Sequence, residues 1–158
     1  MSNHQDVLVA LRKITRAIDL RSKALMRETG LTAPQLLVLM ELLNDSDATP
    51  SSVAKAVHLS QATVTTILDR LDKAGLILRT RSDTDRRMIR LSLTDEGRHK
   101  VQSAPEPLQA GFIERFEALE PWERHQLIAS IQRIATMMDA EHIDAAPILE
   151  LGDLKEES

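Results

Sequence analysis

Between Pro50 and Thr94 the apolar positions first recur at helical spacing and then alternate. Val64, Ile67, Leu68 and Leu71 stand at i, i+3, i+4 and i+7, which predicts a helix with one buried face. Ser60 is a good N-cap for it, because its hydroxyl can accept from the unpaired amides of the first turn. Gly75 is placed to end it in a left-handed conformation. A shorter helix over about residues 52–57 precedes it, with His58-Leu59 as the tight turn between the two. Here His58 reads as a turn residue that tolerates a left-handed backbone rather than as a sensor or ligand. Residues 77–81 and 87–93 then read as strands, with Ile89, Leu91 and Leu93 alternating against Met88, Arg90 and Ser92. The connector Ser82-Asp83-Thr84-Asp85-Arg86 has turn chemistry in its Asp and Ser side chains. Two helices on a tight turn followed by a hairpin make a winged helix-turn-helix.

The flanks are helical. From Asp6 to about Thr29, Val7, Leu11, Ile14, Ile18 and Leu25 form one stripe at alternating four- and three-residue steps. That coiled-coil-like spacing points to packing against a partner chain. Gly30-Leu31 closes this helix, and Thr32-Ala-Pro-Gln35 has capping-box spacing ahead of an almost wholly apolar helix, Leu36 to Leu43. After the hairpin, Thr94 caps another helix, with Asp95 and Glu96 at its positive end. Pro105 and Pro107 interrupt it around residues 103–107. It resumes over 108–119 with Phe112, Phe116 and Leu119 on one side, and Glu120-Pro121 opens a last helix to about Glu141. In that helix Leu127, Ile128, Ile131, Ile134, Ala135 and Met138 form an amphipathic face. The organisation is an N-terminal dimerisation helix (1–31), a winged helix-turn-helix lobe (32–94), C-terminal dimerisation helices (95–149) and an acidic tail (150–158). The fold class is mainly α with a small β-wing. Val7, Leu11, Ile14, Phe112, Phe116, Leu127, Ile131, Ile134 and Met138 are the candidate dimer interface, easiest to bury against their symmetry mates.

Charge changes the picture only when it is split. The net charge is −4, yet residues 60–100 carry nine Lys/Arg against six Asp/Glu, while 101–158 carry four against twelve. The positive balance therefore lies on the second helix and the wing, which is the electrostatic footprint of a duplex binder. The polar face of that helix offers Gln61, Thr63, Thr65, Thr66, Arg70 and Lys73 beside the capping Ser60. Gln can pair with adenine and a Thr methyl can meet a thymine methyl in a major groove. Arg81, Arg86 and Arg87 sit near the wing tip, a means of placing guanidinium in the adjacent minor groove. A two-fold axis would set two such helices roughly 34 Å apart on a pseudo-palindromic operator.

Other classes fall away. The chain has no Cys and no Tyr, no glycine-rich phosphate loop, and no His beside an Asp and a nucleophile in a recognisable motif, so an enzyme is not expected. With three aromatic residues it lacks the stacking platforms of single-strand binders. Its five His are scattered without ligand spacing, so neither metal nor cofactor is expected. No apolar run approaches membrane-spanning length and the N-terminus lacks signal-peptide form, which points to a cytoplasmic protein. The acidic C-terminal third keeps one alternative open, a winged-helix protein-interaction module without specific DNA binding.

Residues 5–142 resemble the MarR family of bacterial transcriptional regulators. The resemblance is carried by Leu59-Ser60-Gln61-Ala62-Thr63-Val64, Leu68-Asp69-Arg70-Leu71, Gly75-Leu76-Ile77, Asp83-x-Asp85-Arg86-Arg87 and Leu91-x-Leu93-Thr94-x-x-Gly97. It implies a homodimeric regulator, typically a repressor, with the second helix in the major groove and the wing in the minor groove. It also implies a small-molecule or chemical signal. By the family pattern Arg87 enters the minor groove, Asp85 orients it and Arg86 meets phosphate. The implied effector pocket lies between the dimer helices and the DNA-binding lobe. Ile14, Ile18, Leu37, Met40 and Leu68 are its candidate lining, and all five are equally ordinary core positions. The absence of cysteine departs from the peroxide-sensing branch, and the two prolines after the wing are unusual. The N-terminal stretch from Val7 to Lys23, with Gly30 to Leu39, looks like the subgroup that represses synthesis of osmolytes such as ectoine and glycine betaine.

Overall fold

A computed structural model describes residues 2–143, 145 and 147–150. Of the acidic tail expected over 150–158, residues 151–158 lie outside the described residues. Seven helices and one hairpin follow in the order α1 (Asn3–Thr29), α2 (Ala33–Asn44), α3 (Pro50–Val57), α4 (Gln61–Lys73), β1 (Ile77–Arg81), β2 (Ile89–Leu93), α5 (Asp95–Ser103), α6 (Leu108–Glu117) and α7 (Pro121–Met137). Two compact units divide them. One runs to Pro105 and takes up the chain again at Leu149; the other is Glu106–Ile148.

In the first unit each helix begins where a side chain satisfies an amide at its N-terminus. The Thr32 hydroxyl accepts from the Gln35 amide, and the Gln35 side chain accepts from the Thr32 amide at 3.0 Å. Thr49 and Ser52 exchange the same pair of bonds, at 3.1 and 2.9 Å. That cap starts α3 at Pro50, two residues earlier than the apolar pattern indicates. Helix α1 likewise starts at Asn3 rather than Asp6, with the Ser2 amide donating to the Gln5 side chain. His58 closes α3 at φ 57° and Gly75 follows α4 at φ 74°, both in the left-handed conformation expected of them.

Helix α2 is the floor of this unit and packs against α3, α4, α5 and β2. Leu36, Val38, Leu39, Val53, Val64, Leu68, Leu71, Ile77 and Leu91 are its fully buried core. The hairpin is antiparallel with Ile77 opposite Leu93, Arg79 opposite Leu91 and Arg81 opposite Ile89. It is tied to the lobe by the Leu91 amide, which donates to the carbonyl of the buried Ala48 at 2.9 Å. Gly97 in the first turn of α5 faces the Leu76 carbonyl so closely that a Cβ would stand 2.0 Å from that oxygen. The residue that weakens a helix start is therefore what lets α5 approach the backbone just before β1.

Two further boundaries differ from the sequence expectation. Strand β2 begins at Ile89, not Arg87, because the Met88 amide donates to the Asp85 carbonyl and the Arg87 amide to the Asp85 carboxylate, each at 3.0 Å. Arg87 and Met88 thus belong to the tip turn. Helix α7 ends at Met137, short of Glu141, where Asp139 turns left-handed at φ 56° and the Ala140 amide closes on the Ala135 carbonyl. The proline interruption falls where expected: α5 ends at Ser103, Ala104 is extended, and α6 starts after Pro107.

In the second unit α6 and α7 bury none of their residues. Phe112 and Phe116 stack at 5.5 Å along one side of α6. Arg124 reaches Glu117 at 2.9 Å across the turn between the helices.

Candidate nucleic-acid interface

Helix α4 divides its residues cleanly. Val64, Ile67, Leu68 and Leu71 are buried, while Gln61, Ala62, Thr65, Thr66, Asp69 and Lys73 are exposed, and Thr63 and Arg70 are half-buried. Ser60 caps the helix by accepting from the Thr63 amide at 3.1 Å, and its hydroxyl also meets that of Thr63 at 2.8 Å. Further along, the Thr65 hydroxyl donates to the Gln61 carbonyl at 2.8 Å and the Thr66 hydroxyl to the Ala62 carbonyl at 3.3 Å.

The wing presents its arginines in two groups. Arg79 lies on the same sheet face as Ile77 and Leu91, and strand alternation aims it back at α4. There its guanidinium donates to Asp69 at 2.6 Å and stands 3.8 Å from Asp72. Arg90, on the opposite face, pairs with Asp47 at 3.0 Å. By contrast Arg81, Arg86 and Arg87 are exposed, and their guanidinium groups take no ion pair among the described residues. The two pairs neutralise acids that would repel a polyanion, and the tip cations stay available. Asp85 holds Arg87 by its backbone amide rather than by its guanidinium. It therefore shapes the tip turn, a more indirect role than the one implied by the family pattern.

All eleven expected DNA-facing residues thus lie on α4, its cap or the wing. Sequence reasoning missed Arg79, since nothing in the spacing of Asp69 and Arg79 shows that the hairpin folds back far enough to join them. The expected effector-pocket residues fare differently. Leu68 is 2% exposed and belongs to the core, Ile14 is 52% exposed on α1, and Ile18, Leu37 and Met40 are half-buried. Of the nine candidate dimer residues none is buried: Val7, Ile14, Phe112, Leu127, Ile131 and Met138 are exposed, and Leu11, Phe116 and Ile134 are half-buried.

Residues 31–89, which span α2 to the wing tip, match the model of the MarR family. The chain is 35% identical over 97 residues to the HTH-type transcriptional repressor MdtR of Bacillus subtilis, a match covering 61% of this chain and 63% of MdtR. It is 30% identical to the YusO protein of Bacillus subtilis, whose crystal structure superposes with a TM-score of 0.55 over 86% of this chain and 99% of YusO. The same fold recurs, at 21% identity and a TM-score of 0.56, in the S. aureus MepR–DNA complex, over 82% of this chain and 96% of that one. The recognition-helix and wing motifs fall inside the matched residues, with YusO alike over nearly its whole length. The chain belongs to the MarR family.

Proposed function

We propose that the protein is a homodimeric, sequence-specific double-stranded DNA-binding transcriptional regulator of the cytoplasm, a repressor relieved by a small-molecule or environmental signal. The observation that carries this is the combination of an exposed Gln/Thr face on α4 with exposed arginines at the wing tip that take no ion pair among the described residues. Helix α4 would enter the major groove of each half-site and Arg87 the minor groove beside it, with Arg86 on phosphate. MdtR is a repressor by name and MepR has been crystallised on DNA, and both support the reading. The dimer is supported by the unburied apolar faces of α6 and α7, which would meet their symmetry mates. An effector site would draw on Ile14, Ile18, Leu37 and Met40. The N-terminal stretch supports the narrower assignment to osmolyte-synthesis repressors, for which DNA upstream of ectoine-synthesis genes is the probe.

The test is a fluorescence-anisotropy titration against duplex from the gene's own upstream region, with unrelated duplex as control, at several salt concentrations. The expected result is salt-dependent binding that discriminates the two by ~10³ or more. Weak binding equal on both, at every salt concentration, would instead favour a winged helix serving a protein partner.

A further inference from the structure

The exposed N-terminal half of α4 is less polar than its sequence looks. A hydroxyl has one proton, and those of Thr65 and Thr66 are already donated to the Gln61 and Ala62 carbonyls of their own helix. Ser60 and Thr63 are engaged with each other at the cap. Neither Thr65 nor Thr66 therefore has a donor left for a base edge. Each oxygen keeps only acceptor lone pairs; the outermost group that each side chain still offers a base edge is its methyl, and Ala62 adds a third. Positions 62, 65 and 66 stand at i, i+3 and i+4, so the three methyls lie side by side on one exposed face. The amide of Gln61, one turn before Thr65, borders them.

We propose that α4 recognises A·T pairs through apolar contact of Ala62, Thr65 and Thr66 with thymine C5-methyl groups, not through hydroxyl hydrogen bonds to base edges. The inference rests on the DNA-binding reading above and names what that surface selects. Thymine is the one base that carries a methyl group in the major groove. Water, phosphate and the polar edges of G and C give three exposed methyls nothing in return for their hydration, whereas another methyl removes apolar area from water on both sides. Gln61 fits the same sites, since its amide can bind adenine N6 and N7 in a bidentate pair. Asp69, two turns beyond Gln61 on that stripe, is held by Arg79 and leaves the cluster free of an uncompensated carboxylate.

The experiment uses the full chain. A duplex is first selected from a random library, and its affinity is then measured with each thymine replaced in turn by uracil, which removes only the C5 methyl. Two double variants accompany the natural protein: T65S/T66S, which drops the methyls and keeps the hydroxyls, and T65V/T66V, which keeps the methyls and drops the hydroxyls. Circular dichroism confirms that both are folded. The expected result is a loss of about fourfold for each contacted thymine methyl. T65V/T66V should retain this preference and T65S/T66S should lose it. Equal affinity for thymine and uracil on a duplex still selected over random sequence overturns methyl readout and leaves the regulator standing. So does a T65V/T66V variant that loses the preference while T65S/T66S keeps it, which would assign the readout to the hydroxyls. If no duplex is enriched, the DNA-binding reading itself fails and the proposal falls with it.

Discussion

The lobe from α2 to the wing and the helices α6 and α7 use similar apolar residues to opposite ends. In the lobe Leu36, Leu39, Leu68, Leu71, Ile77 and Leu91 are all essentially removed from water. In α6 and α7 nothing is buried, and Leu127 and Ile131 each remain 50% exposed. The lobe closes a core of its own, whereas the helix pair carries an apolar face without a floor. Such a face fits the proposed dimer, in which another chain would cover it. Fold stability and assembly should accordingly be separable by mutation.

The largest effect is expected from Leu39→Ala. It removes a fully buried side chain from the helix against which α3, α4, α5 and β2 pack, and should cost about 2–5 kcal/mol in chemical denaturation. An unchanged midpoint would mean that α2 is not the floor of the core. Ile131→Glu is the complementary experiment. Placed on an exposed position, the charge should leave the far-UV circular dichroism of the protomer intact. Across a two-fold apolar contact it should weaken self-association about a hundredfold or more, as read by sedimentation. A variant that still sediments as the natural protein would remove α7 from the interface. A smaller effect belongs to Arg87→Ala at the exposed wing tip, outside the core of the lobe. It should lower operator affinity about tenfold and flatten the log-log salt slope by roughly one unit if the guanidinium meets phosphate. Affinity untouched at every salt concentration would end the assignment of that residue.

The contrast also explains what could be read in advance. Caps, turns and periodicity act over three or four residues, so Thr32 with Gln35, Ser60, Gly75 and the proline break before α6 were all legible. The amphipathic face of α7 was legible as a pattern, although where it is buried was not. Contacts made by long side chains between distant elements left no local trace. Arg79 reaches Asp69 only because the strand register turns it toward α4, and Arg90 reaches Asp47 across 43 residues of sequence. Lys100 similarly donates to the Thr29 carbonyl at the end of α1, 71 residues away. The start of β2 was misplaced for a related reason. Arg87 and Met88 have strand-like neighbours, but the Asp85 carboxylate and carbonyl take both their amides and fold them into the turn. Side-chain capture of backbone amides overrode alternation there.

The smallest effect distinguishes a turn residue from a functional one at His58. Its φ of 57° sits between α3 and α4, where its own amide closes back on α3. A side chain in that conformation carries a steric cost of about 1 kcal/mol, which glycine avoids. Glycine in turn gives the unfolded chain more freedom, worth roughly 0.5–1 kcal/mol. The two terms nearly cancel, so His58→Gly should move the melting temperature by no more than about 2 °C. His58→Val has no such compensation, because a β-branched residue is a genuine outlier at positive φ. It should melt lower by several degrees. Operator affinity should be unaltered in His58→Gly, since the turn keeps its shape and the imidazole reads nothing. Unaltered melting with lost DNA binding would instead make the imidazole part of the interface, extending that surface beyond α4 and the wing into the lobe whose role is otherwise to support them.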